Sequence, residues 1–250
     1  MIALLRSEYL KLRSTRTAFG MGIAAALVSV LPAIALIAFL PKGQISGDEA
    51  RAILTAGSSL VAYIVLVFGI LGMTSEYRHG TITYTYLATP RRGRVIAVKL
   101  AMYAVVGCLA MLLSLVLANL IGAIGLPFRG VSFAAPDGAA LADYARQIAT
   151  AGLITAFGVA LGALFRAQVV TVAGTLLWAL MVEPLIVLFK PHVGTWLPFN
   201  VFSQVISMPV AAGGTTAEGL SRPEAFLVSI AYIAAVSVLA VFISMRRDVT

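Results

Sequence analysis

Six uncharged apolar runs decide what this chain can fold into. Ala18–Leu40, Ala52–Ser75, Leu100–Phe128, Gln147–Phe165 and Ala225–Met245 contain no Asp, Glu, Lys or Arg over 23, 24, 29, 19 and 21 residues. The remaining run, Ala167–Val182, reaches Glu183 after 16 residues and resumes its apolar character through Phe189. A helix rises about 1.5 Å per residue against a hydrocarbon core about 30 Å thick, so each run is long enough to cross. A transmembrane barrel would show short alternating strands instead. The expected fold class is therefore an all-α integral membrane protein with one transmembrane domain over 1–250. Its six transmembrane helices fall at about 18–40, 52–75, 96–126, 146–165, 168–189 and 224–245. A content of 60% hydrophobic and 11% charged residues excludes an ordinary soluble domain.

The segment before the first run, Met1–Thr17, places Ile2, Leu5, Tyr9 and Leu12 at helical spacing, with Arg6, Lys11, Arg13 and Arg16 between them. That pattern predicts an N-terminal amphipathic helix over 1–17, lying at the membrane interface and leading into the first span. The run that follows is too long for a cleaved signal peptide. With the N-terminus inside, 12 of the 18 Lys and Arg residues fall on the cytoplasmic side and 6 outside. This bias predicts that both termini are cytoplasmic. The net charge of +8 sits beside apolar spans, which fits orientation and membrane lipid headgroups rather than nucleic acid. The single cysteine, Cys108, excludes an intramolecular disulfide, and His79 and His192 fall on opposite sides, so no metal site is expected.

One connecting segment stands out. Ser75–Lys99 carries Glu76, Arg78, Arg91, Arg92, Arg94 and Lys99, together with Gly80–Thr81, a tyrosine-rich run and Pro90. Thr81–Tyr86 alternates with period two, which alone favours a strand. An isolated strand at a membrane surface would leave its backbone unpaired, so a helix is expected around Gly80–Ala88. Glu76 and Arg78 are expected to share one polar surface. The connector Arg129–Arg146 is expected to hold little structure. In Lys190–Pro223, Trp196, Phe199, Phe202, Val205, Ile206 and Met208 are spaced like the face of a short helix, at the outer interface or re-entrant between spans five and six.

Glu183 is the one acid inside a span, followed directly by Pro184. It either faces a substrate or gate, or it hydrogen-bonds backbone groups where the helix breaks. Gly158 and Gly162 form a GxxxG pattern, compatible with a dimer face or with an intramolecular contact, and Asn119 reads as an interhelical hydrogen-bonding amide. No GxxxxGK[ST] and no HExxH occurs, so neither a phosphate-cradling loop nor that zinc-site motif is present.

A surface helix, six spans, inward termini and a structured first inner loop together resemble the permease subunits of ABC-2 type transporters. The likeness is most specific at Ser7–Arg16, SEYLKLRSTR, and at Gly72–Leu100, where Glu76, Gly80, Thr81, Leu87, Pro90, Arg94 and Lys99 stand at the family's loop positions. The resemblance implies that the 76–95 loop, with Tyr77 and Arg78, couples to a separate ATP-binding cassette subunit, which holds the ATP and Mg. No cofactor and no catalytic residue is then expected in this chain. It further implies a second permease copy or homologue, a bacterial plasma (inner) membrane location, and export of a hydrophobic or amphipathic substrate. The pathway would lie against spans two and five, with Glu183, Tyr63 and Asn119 as candidate lining residues. The alternatives are a membrane-embedded enzyme, an accessory or sensor subunit, or an ion-coupled carrier without an ATPase.

Overall fold

The computed structural model describes residues 2–39, 53–88, 92–133, 135–206 and 219–246. These residues are helical throughout, with short turns between helices and no strand among them. In chain order the helices are α1 (Ile2–Ser14), α2 (Arg16–Phe39), α3 (Ser58–Arg78), α4 (Thr81–Ala88), α5 (Arg92–Gly125), α6 (Gly138–Phe165), α7 (Gln168–Phe189), α8 (Pro191–Gly194), α9 (Pro198–Ile206) and α10 (Arg222–Arg246). Six of them, α2, α3, α5, α6, α7 and α10, are long and apolar enough to cross a membrane. The chain is thus a multi-pass helical membrane protein in its architecture. Pro90, the loop Pro41–Arg51 and the last part of the 196–208 segment lie outside the described residues.

The bundle is centred on α6, with 67% of its apolar window buried against 11% for α10. Small residues set that centre. A side chain at Gly158 would strike the Leu66 carbonyl oxygen, one at Gly162 the Ile70 carbonyl oxygen, and one at Gly69 the Thr155 carbonyl oxygen. The backbones of α3 and α6 therefore touch, and dispersion between closely set helices stabilises them where lipid supplies no hydrophobic drive. The GxxxG pattern of Gly158 and Gly162 is used inside the chain. Buried hydroxyls bond the preceding turn of their own helices: Thr74 Oγ1 donates to Ile70 O at 2.8 Å, Thr155 Oγ1 to Ala151 O at 2.6 Å, and Ser229 Oγ to Ala225 O at 2.8 Å. That solution suits a medium without water.

Three expectations need correction. The Arg129–Arg146 connector is not unstructured over its length: α6 begins at Gly138, where Asp137 caps it by accepting from the Ala140 N–H at 2.8 Å. The charges that end the apolar run, Asp143 and Arg146, pair across one turn of that helix. Nor does the chain break at Glu183–Pro184. A π-helical turn, Trp178–Val182, precedes Glu183 and helix resumes through Phe189. Proline lacks the N–H that an α-helix would need at this point, and the wider turn lets the chain pass without a break. The third span also starts earlier than its apolar run, at Arg92, which buries Lys99 two turns inside a helix.

Candidate functional site

At the end of the bundle that carries α1, three helices bring four charges together. Glu8 lies in α1, Glu76 in the last turn of α3, and Lys99 near the start of α5. Lys99 Nζ is 2.7 Å from Glu8 Oε2 and 2.8 Å from Glu76 Oε1; Lys11 Nζ is 2.8 Å from Glu8 Oε1 and 2.7 Å from the same Glu76 oxygen. The four form a closed ring of alternating sign. Lys99 is 1% exposed, Glu8 2% and Glu76 7%, whereas the Lys11 side chain is 44% exposed. Desolvating such charges is costly, and only close pairing offsets it. α1 is thereby fastened through Glu8 and Lys11, with Leu5 and Tyr9 left outward.

The ring biases its own titration. Burial alone would raise the Glu8 carboxyl, but Lys99 and Lys11 outweigh it and hold that group below its ordinary value. Burial would lower Lys11, yet its hydrogen bonds to Glu76 and Glu8 hold it above the ordinary value. A depressed carboxyl contributes stability above its unfolded pKa and loses it as pH falls through the folded one; a raised amine loses its contribution only as pH rises through its folded pKa. Both contributions are present between about 4.5 and 10.5. The expected result is an acid-side loss of stability below pH about 4.5 that Glu8→Gln flattens, read from melting midpoints in detergent. An acid limb of equal steepness in both proteins would remove Glu8 as its source.

From this ring the chain turns into α4. Gly80 makes the turn with φ +68°, a conformation that favours glycine. The helix expected from Thr81 onward is present. It resolves the period-two pattern by burying Ile82 and Tyr86, one turn apart, against Phe68, Val95, Ile96 and Tyr103. Tyr86 and Tyr77 share a hydrogen bond at 3.2 Å between hydroxyls, with Arg92 over the Tyr86 ring and Arg166 over the Tyr77 ring. On the other face Tyr84 and Leu87 are 75% and 74% exposed. Thr81 and Arg94 are exposed as well. The expected common surface of Glu76 and Arg78 is not there: Glu76 turns inward to the lysines, while Arg78 is exposed and donates to Gln168 Oε1 at 3.2 Å. Two residues along a helix point to different faces.

At the opposite end, Glu183 is buried and accepts from the Trp178 indole N–H at 3.1 Å and from the Asn200 backbone N–H. It pins α9 to α7. Asn200 Nδ2 also donates to Gly194 O, and Gln204 Nε2 to Thr195 O, both at 2.8 Å. Phe199 and Phe202 pack on Phe157 of α6. Tyr63 lines a cavity of about 100 Å³ between α3, α6 and α9, beside Thr150, Phe202 and Ser203. Asn119 is elsewhere: it bonds Leu115 O and accepts from the Tyr144 hydroxyl at 3.2 Å, tying α5 to α6. Of the three candidate pathway residues, Asn119 takes the interhelical role its residue type predicts.

Sequence reasoning missed Glu8 and did not see that Lys99 is its partner. The available signal was slight: Glu8 is the one acid of the basic N-terminal segment, and Lys99 is flanked by Val98 and Leu100. Among the described residues no group of three His, Cys, Asp or Glu side chains could hold a metal ion. The fold and this arrangement define a class, a multi-pass helical protein with three helices locked by charge at one end of the bundle. No family model and no curated protein matches the chain.

Proposed function

We propose that this chain is the permease subunit of an ATP-driven exporter of the ABC-2 kind, pairing with a second permease and coupling to separate ATP-binding subunits. The observation that carries the reading is α4. One face, Ile82 and Tyr86, is sunk into the bundle, while the other presents Tyr84 and Leu87 to solvent. An exposed aromatic and an aliphatic side chain on a short, anchored helix suit a buried contact with a soluble partner. The charge ring joins α4's support to α1, α3 and α5, so a push on α4 moves these helices as one body. The 12-to-6 distribution of basic residues supports a cytoplasmic location for this end and for both termini. On that orientation α1 is an interfacial helix of the inner leaflet of a bacterial plasma membrane, and α8–α9 form a re-entrant element on the outer side. ATP and Mg belong to the partner, and this chain moves a hydrophobic or amphipathic substrate without altering it.

The test is retention of the ATPase subunit on the tagged, purified permease. Tyr84→Ala and Leu87→Ala should each weaken retention by about 2 kcal/mol, roughly 30-fold, as central anchors of an interface do. Phe128→Ala, equally exposed but at the other end, should leave retention unchanged. Absence of any co-purifying ATPase, or identical retention in all three variants, would overturn the reading.

A further inference from the structure

Beside the charge ring lies a slot of about 470 Å³ between α1, the start of α2, the end of α3 and the near part of α5. Its deep wall is apolar: Phe68, Leu71 and Tyr103 line it. The Tyr103 ring sits so close to Gly72 that any side chain there would strike it, which keeps this wall aromatic. Its mouth is polar, with Lys11, Glu76, Arg78 and His79 beside Thr17 and Thr15, whose hydroxyl donates to Lys11 O. From Phe68 to Arg78 is ten residues along one helix, about 15 Å, which matches the hydrocarbon depth of a single leaflet. The acid at the mouth, Glu76, is paired through one oxygen, which accepts from both Lys11 and Lys99, while its Oε2 is buried with no hydrogen-bond partner among the described residues. Arg78 instead donates to the neutral amide of Gln168.

We propose that this slot holds one anionic phospholipid of the adjoining leaflet. The phosphate sits at the Arg78 guanidinium with Thr17 on the same rim, and one acyl chain runs along Leu71, Phe68 and Tyr103. Charge complementarity selects the head group. An additional anionic group is attracted by Arg78, whereas a choline head would set its cation against that guanidinium.

The experiment is native mass spectrometry of the purified full chain in detergent, supplied in turn with phosphatidylglycerol and phosphatidylcholine of the same chain length. The expected result is one phosphatidylglycerol retained per chain, about tenfold above phosphatidylcholine. Arg78→Ala should cut that retention about tenfold and Arg78→Lys should restore most of it. Arg13→Ala, which removes an exposed base of α1 outside the slot, should leave retention unchanged. Leu71→Trp, which fills the slot with the rim intact, should abolish it. Equal retention of the two lipids, or equal losses in Arg78→Ala and Arg13→Ala, overturns the site in favour of diffuse surface charge. Retention that survives Leu71→Trp overturns it equally. Neither an ATPase nor a membrane orientation enters this assay, so its failure is separable from failure of the permease reading.

Discussion

Replacing Lys99 with methionine is expected to lower the stability of the folded chain by about 3–5 kcal/mol, the usual cost of breaking a buried ion pair from one side. Methionine matches the volume of the lysine stem, so packing is nearly kept and the loss is electrostatic. Glu8 and Glu76 would then share only Lys11, which reaches them from the exposed side of the ring. Two carboxylates, each more than nine-tenths buried, would face each other with half their compensation gone. Lys11→Met serves as the contrast. Its side chain is 44% exposed, so its removal is screened by solvent and should cost less than that of Lys99, about 1 kcal/mol. Adding Glu8→Gln to Lys99→Met leaves one Lys and one Glu, a balanced pair, and should recover more than half of the loss. The measurement is the melting midpoint and monodisperse yield in detergent. If Lys99→Met melts with Lys11→Met, or if the double variant is no better than the single, the ring is not what holds α1 to the bundle.

The spans were legible because length and absence of charge decide them, and both are local properties. What joins the spans was not. Lys99 and Glu8 are 91 residues apart in the chain, and nothing at either position marks the other. Glycine spacing at Gly158 and Gly162 announces a close backbone approach but is silent about the neighbour, which is α3 of the same chain. The start of α6 was hidden for a different reason. Asp143 and Arg146 ended the uncharged run, although they pair with each other on a helix that Asp137 caps. In α4 a period-two pattern competed with helix, and tertiary burial of Ile82 and Tyr86 decided it. Glu183 was visible as an anomaly, but its partner Asn200 lies 17 residues on, in a short helix whose placement no local pattern gives.

The two fastenings sit toward different ends of α3 and α6, a helix pair in backbone contact. Glu76 closes the charge ring at one end of α3, and Leu66 and Phe157, midway along α3 and α6, pack with Phe202 of α9 toward the other. Because α3 and α6 touch through backbone, they form a stiff unit that can carry a tilt from α4 to α9 with little internal deformation.

That stiffness makes the fastening at Glu183 testable in the same terms. Glu183→Ala should remove the acceptor for both the Asn200 N–H and the Trp178 indole N–H, leaving two donors without partners in an apolar setting. Each orphaned donor costs about 1–3 kcal/mol, so a loss of roughly 2–6 kcal/mol is expected. Glu183→Gln should fall between the wild type and this variant. Its amide oxygen still accepts from Asn200, but its NH2 faces the indole donor and one bond is lost. The predicted order of folded yield is therefore wild type, Glu183→Gln, Glu183→Ala, with transport per folded molecule unchanged across a panel of hydrophobic dyes. Loss of yield without change of substrate pattern identifies Glu183 as the anchor that holds α9 on α7. The opposite result, full yield for Glu183→Gln with an altered substrate pattern, would place the carboxylate on the pathway, because only a group that meets the substrate can change which compounds pass while the fold is intact.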